Sequence, residues 1–176
     1  NQELSSADHY LNIITLNSGR YNIEPLAINS EEIDYGAFYD SETLYFSSTR
    51  NGKPFKKIDG WSNKPYLNIF KVAYDEESNT FGEIEPIEGD INTRFHESTP
   101  IITKDGKTMY FTSTNNTPRI KKSREERVDV KIYRATKIGG KWTNIEDLSI
   151  NGDNYSNAHP VLSPDEKVLY FTSNMP

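Results

Sequence analysis

The chain contains no cysteine, three histidines and two tryptophans in 176 residues. Without cysteine there are no disulfides, no thiol nucleophile and no thiolate metal site; the absence does not assign a compartment, because a periplasmic protein need not carry disulfides. No apolar run approaches the roughly 18 residues of a membrane-spanning helix, so direct membrane insertion by this segment is not expected. A net charge of -6 argues against nucleic-acid binding, which needs a basic footprint. No phosphate loop, Gly-x-Ser-x-Gly elbow or convincing triad is present. No signal peptide is visible in these residues, and a chain opening on Asn1 is expected to be cut from something longer.

What the chain does have is repetition. Leu44-Tyr45-Phe46-Ser47-Ser48, Met109-Tyr110-Phe111-Thr112-Ser113 and Leu169-Tyr170-Phe171-Thr172-Ser173 lie 65 and 60 residues apart. Each follows an Ile-Asn pair: Ile28-Asn29, Ile91-Asn92 and Ile150-Asn151. Aligning the copies yields four strand-like pieces per unit. A first strand falls at residues 35–39, 98–103 and 158–163, and the Tyr-Phe element is the second. Asp40, Asp105 and Asp165 lie in the turns between them and are expected to bond nearby backbone amides. A third, alternating strand is expected at 67–74 and 130–137, and a fourth at 81–87 and 142–148, with residues 21–26 as another fourth-strand piece.

Four antiparallel strands repeated about every 60 residues predict an all-β chain, a partial β-propeller of two and a half to three blades over residues 21–176, with units starting near 28, 91 and 150. Residues 1–20 read two ways. Tyr10-Leu11-Asn12-Ile13 echoes Tyr66-Leu67-Asn68-Ile69 and suits a third strand, whereas Leu4, Ala7, Leu11 and Ile14 share one face of a short helix or linker. Closure into a three-blade ring is not expected, since so steep a wedge leaves a poor core.

Charge marks out two loops. Residues 51–65 and 115–129 hold nine Lys/Arg against four Asp/Glu, while the remaining 146 residues are net -11. Both insertions lie between second and third strands.

The run Pro160-x-x-Ser163-Pro164-Asp165-x-Lys167-x-Leu169-Tyr170-Phe171-Thr172-Ser173 resembles the bacterial TolB-like, WD-repeat-like propeller repeat. The fuller pattern, Ile91-Asn92-x-x-Phe95-His96-Glu97-Ser98-Thr99-Pro100 then Asp105-Gly106-Lys107-x-Met109-Tyr110-Phe111-Thr112-Ser113, is similar to the propeller of OmpA-family lipoproteins of Bacteroidetes. Such proteins join tetratricopeptide helices, a propeller, a small β-sandwich and a peptidoglycan-binding domain, and some belong to type IX secretion and gliding machinery. The resemblance covers about residues 20–176 and implies a periplasmic, outer-membrane-associated setting. Ala37 departs from the pattern's proline, and no residue here carries over peptidoglycan binding.

In a propeller the loops entering the first strand and those leaving the second open on one face. That arrangement would set Asp34, His96, Glu97, Asn157 and His159 near a channel mouth. Phe55, Lys56, Lys57, Trp61, Arg119, Lys121, Lys122 and Arg124 would form an outer rim. Trp and Arg are favoured interface anchors, and the bland alternative is a solvated loop with self-pairing charges. The expected function is non-catalytic docking of a protein partner in the cell envelope, with no cofactor. The alternatives are a glycan or peptidoglycan-fragment binder, or a glycan hydrolase using Asp34 and Glu97 as paired carboxylates. No metal site is expected: zinc would need His96, His159 and a carboxylate from different units, and calcium at Asp153 and Asn154 lacks an EF-hand pattern.

Overall fold

A computed structural model describes residues 6–20, 24–50, 58–60, 62–114 and 129–176. It is predominantly β, with antiparallel sheets and one short helix, α1 (Ser6–Asn17). The first sheet contains β1 (Asp34–Asp40), β2 (Thr43–Ser48), β3 (Asn68–Asp75), β4 (Thr80–Phe81) and β5 (Glu85–Pro86). Its order is β1-β2-β3-β4, and β5 also pairs with β3. The second sheet, β6 (Glu97–Ile102), β7 (Thr108–Thr114), β8 (Val130–Ile138) and β9 (Lys141–Asp147), runs in chain order. The third is the hairpin of β10 (Asn157–Leu162) and β11 (Leu169–Ser173). None of these sheets closes on itself.

The sequences of the sheets explain their packing. Alternation sends one face of each strand inward, and β2 is covered on both sides: Tyr45 faces one cluster and Phe46 another. The larger cluster lies between the first two sheets and joins Tyr45, Ile69 and Ile91 to Met109, Phe111, Ala135 and Trp142. Strand β6 packs on β1, β2 and β3, and β10 packs in turn on β6, β7 and β8. Met109 is fully buried, so Met109→Ala would cost about 2–5 kcal/mol. The smaller cluster, Phe46, Phe70 and Val72 with Ile28, Leu44, Phe81 and Ile84, occupies the other flank of the first sheet.

All three hairpins break register at the same place. The shifts fall between Tyr35 and Phe38, Ser98 and Ile101, and Ala158 and Val161. At each bulge one residue takes positive φ: Gly36 at 65°, Thr99 at 47° and His159 at 56°. The bulge frees a backbone N–H from its own sheet. Thr99 donates that N–H to Ser47 Oγ of the first sheet at 2.9 Å, and His159 donates to Thr112 Oγ1 of the second at 3.0 Å. Buried Pro100 and Pro160 follow, tolerated because a bulge position needs no ladder donor.

The strands fall within a residue or so of the sequence expectation except at 81–87 and at 21–26, of which the described residues 24–26 form no strand. At 81–87 the expected fourth strand is two short pieces, because Gly82 lacks a side chain to pack and Pro86 lacks a donor. The turns also differ. Asp105 Oδ1 accepts from Lys107 N–H and Thr103 Oγ1, and Asp165 Oδ1 from Lys167 N–H and Ser163 Oγ, as Asx-type turns do. Asp40 instead pairs with Thr43 across a two-residue loop, Ser41-Glu42, with φ of 49° and 60°. Two successive positive φ values match the hand of the hairpin, and Asp40 Oδ1 accepts from Ser41 Oγ at 3.1 Å rather than from a backbone amide.

Candidate functional site

The start of each first strand lies opposite the end of each second strand: Asp34 opposite Ser48, Glu97 opposite Ser113, Asn157 opposite Ser173. Loops entering the hairpins and loops leaving them therefore share one edge. The stems of the two basic insertions lie there too, since Thr49 N–H bonds Ile33 O and Thr114 N–H bonds His96 O.

That edge is built from side chains that close their own loops. Asp34 Oδ2 accepts from the N–H and Oγ of Ser30, at 2.9 and 2.7 Å, and Oδ1 pairs with Arg50 at 2.8 Å. Burial pushes the Asp34 carboxyl up, but hydrogen bonds from Ser48, Arg50 and Ser30 outweigh it and hold the group down at about 2. The Arg50 guanidinium also donates to Ile28 O and lies over the Phe46 ring, 4.8 Å from its centroid.

Glu97 repeats the loop closure with no cation beside it among the described residues. Its Oε2 accepts Thr93 N–H at 3.1 Å and its Oε1 accepts Thr93 Oγ1–H at 2.6 Å, with Ser113 Oγ at 3.4 Å. At 1% exposure, burial dominates these bonds and pushes its carboxyl up to about 7. In the third hairpin Asn157, equally buried, donates to Ile150 O, while its Oδ1 has no partner among the described residues.

The asparagines of the Ile-Asn pairs act between sheets. Asn92 accepts from Ile69 N–H at 2.8 Å and donates to Ile69 O at 2.9 Å. Asn151 does the same with Ile132, at 3.2 and 2.7 Å. A carboxamide carries one acceptor and a donor side by side, so it copies a neighbouring peptide group. In the sequence the Ile-Asn pair serves only to mark the repeat; the partners of Asn92 and Asn151 lie 23 and 19 residues upstream, beyond any local pattern.

His96 is half-buried at the same edge. Its Nδ1 accepts Leu67 N–H at 3.2 Å, its ring lies 4.6 Å from the Tyr66 ring, and Nε2 is 3.8 Å from Asp59 Oδ1. Burial holds its pKa below the ordinary histidine value, with Asp59 opposing. His159 is exposed, on the bulge of β10, and is held through its backbone. Among the described residues no three His, Cys, Asp or Glu side chains are placed to hold a metal ion. Phe55, Lys56, Lys57, Trp61, Arg119, Lys121, Lys122 and Arg124 lie outside the described residues. Lys64 belongs to the stem of the first insertion and pairs with Glu32 at 2.8 Å.

No family model matches the sequence, and no curated protein or solved structure matches it.

Proposed function

We propose that the three hairpins are successive blades of a β-propeller, and that the chain is a non-catalytic docking module of a periplasmic, outer-membrane-associated protein. The observation that carries this reading is the shared edge: Asp34, Glu97 and Asn157 close their loops from within, beside the stems of both basic insertions. Preformed loops on a rigid sheet scaffold lose little conformational freedom when they bind. The carboxylates are engaged in loop closure, which leaves recognition to the insertions. Their excess of Lys and Arg, with Phe55 and Trp61, suits an acidic surface on a protein partner of the cell envelope.

Charge reversal of Lys56, Lys57, Lys121 and Lys122 tests this reading in pull-downs from envelope extract. Specific partners should be lost from the variant, and unchanged recovery would discard the face. Glycan binding is the second reading, favoured by Phe55 and Trp61 in the first of these loops. Trp142 is buried, so a saturable change in tryptophan emission on adding peptidoglycan fragments, abolished in Trp61→Phe, would support it. A flat titration would remove it.

A further inference from the structure

Three residues meet the His96 ring, and all three belong to the return of the first basic insertion toward β3: Asp59, Tyr66 and Leu67. That return is closed on itself before it reaches the ring. Ile58 pairs with Pro65, Asp59 N–H bonds Lys64 O at 2.9 Å, and Asn63 N–H bonds Asp59 O at 2.9 Å. Ser62 N–H bonds Asp59 Oδ2 at 2.8 Å, and Lys64 ties the same turn to Glu32. Asp59 is thus carried on a preformed turn, its Oδ1 3.8 Å from His96 Nε2 and beyond hydrogen-bond length.

The two ring nitrogens face opposite demands. Nδ1 accepts the Leu67 N–H, so it carries no proton, and the neutral ring keeps its proton on Nε2, on the side of Asp59. Leu67 O in turn accepts Glu97 N–H at 3.0 Å, so His96 and Glu97 together hold both polar atoms of the Leu67 backbone. Asn92 and Asn151 hold Ile69 and Ile132 in the same way with carboxamides. A carboxamide does not titrate near neutral pH, whereas an imidazole does. Once Nδ1 gains a proton, a donor faces a donor and Leu67 N–H loses its acceptor.

Among the described residues the groups around the ring are few. The turn contributes Asp59, the approach to β3 contributes Tyr66, and β7 contributes the uncharged Thr114, bonded to the His96 backbone. On the segment of His96 itself, Glu97 is turned to Thr93 and Ser113, and Arg94 lies over the Phe95 ring.

We propose that His96 is a pH-operated latch on the foot of the first insertion: neutral, it holds Leu67; protonated, it releases Leu67 and closes on Asp59. The exchange moves the hold from the start of β3 to the turn. Burial opposes the charge and Asp59 favours it, and burial prevails, so the change falls below the ordinary histidine value of 6.5. The unfolded chain takes its proton first. Stability contributed by the neutral latch is therefore complete above 6.5 and lost as pH falls through the lower, folded value. The latch concerns Asp59, Leu67 and His96 alone and stands whether or not the insertions dock a partner.

An NMR titration of the whole chain from pH 8 to pH 5 tests it. The Leu67 amide should shift with the midpoint of the His96 ring, and its hydrogen exchange, relative to the intrinsic rate, should rise about tenfold below that midpoint. His96→Gln, whose carboxamide oxygen accepts an N–H without titrating, should abolish both changes. Asp59→Asn should move the His96 midpoint further down, since the ring loses the anion that favours its charge. A Leu67 amide that ignores the His96 titration, or a transition that survives in His96→Gln, would overturn the proposal. So would a midpoint unmoved in Asp59→Asn, or a ring that stays neutral throughout the range.

Discussion

Asp34 and Glu97 hold the same place in successive sheets, each bonding the N–H and hydroxyl of the residue four before it, yet the two are opposite electrostatic objects. Asp34 has Arg50 beside it and is held ionised; Glu97 has no such cation among the described residues, and burial drives it toward the neutral acid. Loop closure needs only two acceptor oxygens. Charge is therefore a free variable, set by whether the second residue after the facing serine is Arg50, following Ser48, or Asn115, following Ser113.

Linkage turns the contrast into opposite slopes. Asp34 falls from 3.8 to about 2 in the fold, so its contribution is full above 3.8 and lost as pH drops toward 2. Glu97 rises from 4.5 to about 7, so the folded state keeps a proton the unfolded chain releases, and stability declines as pH climbs through that window.

The largest effect is expected from Arg50→Ala, which strands a largely buried carboxylate; about 3 kcal/mol should be lost at neutral pH in urea unfolding, with much of it recovered in acid. Asp34→Asn should cost about 2 kcal/mol at pH 7 and almost nothing near pH 2, read from the same curves. Glu97→Gln should move the other way, gaining about 1–2 kcal/mol at pH 8 and flattening the decline between 4.5 and 7. If its slope persists, another group carries it. Thr93→Ala, which removes the 2.6 Å donor, should cost about 1 kcal/mol and move the Glu97 transition upward, visible in an NMR titration of its side chain.

Sequence reading located the hairpins because strand alternation and turn chemistry are local. The three Tyr-Phe segments are β2, β7 and β11, and Asp105 and Asp165 sit in the expected turns. It singled out Asp34, Glu97 and Asn157 as a cluster at one end of the molecule but assigned the carboxylates to a channel mouth. The signal for loop closure was present in the spacing of Ser30 with Asp34 and Thr93 with Glu97, four residues apart. Neither the burial that separates the two pKa values nor the grip of Asn92 on Ile69 has a local signal, since both arise from contacts across the fold.

The grip of Asn151 on Ile132 also sets how the molecule ages. Asn151 precedes Gly152, and a following glycine lets the backbone nitrogen attack the carboxamide and convert asparagine to aspartate or isoaspartate. A side chain at 152 would have to displace the Tyr155 ring, which a Cβ there would approach to 2.1 Å. While Asn151 holds both atoms of the Ile132 peptide, its carboxamide is not free to rotate into that attack. Deamidation at 151 thus becomes a clock for opening of the third hairpin, and once it has run, the carboxylate left behind has no donor for Ile132 O. Peptide mapping after storage at mildly alkaline pH should find modified Asn151 accumulating at the rate of that opening, and a rate matching an unstructured peptide would refute the protection.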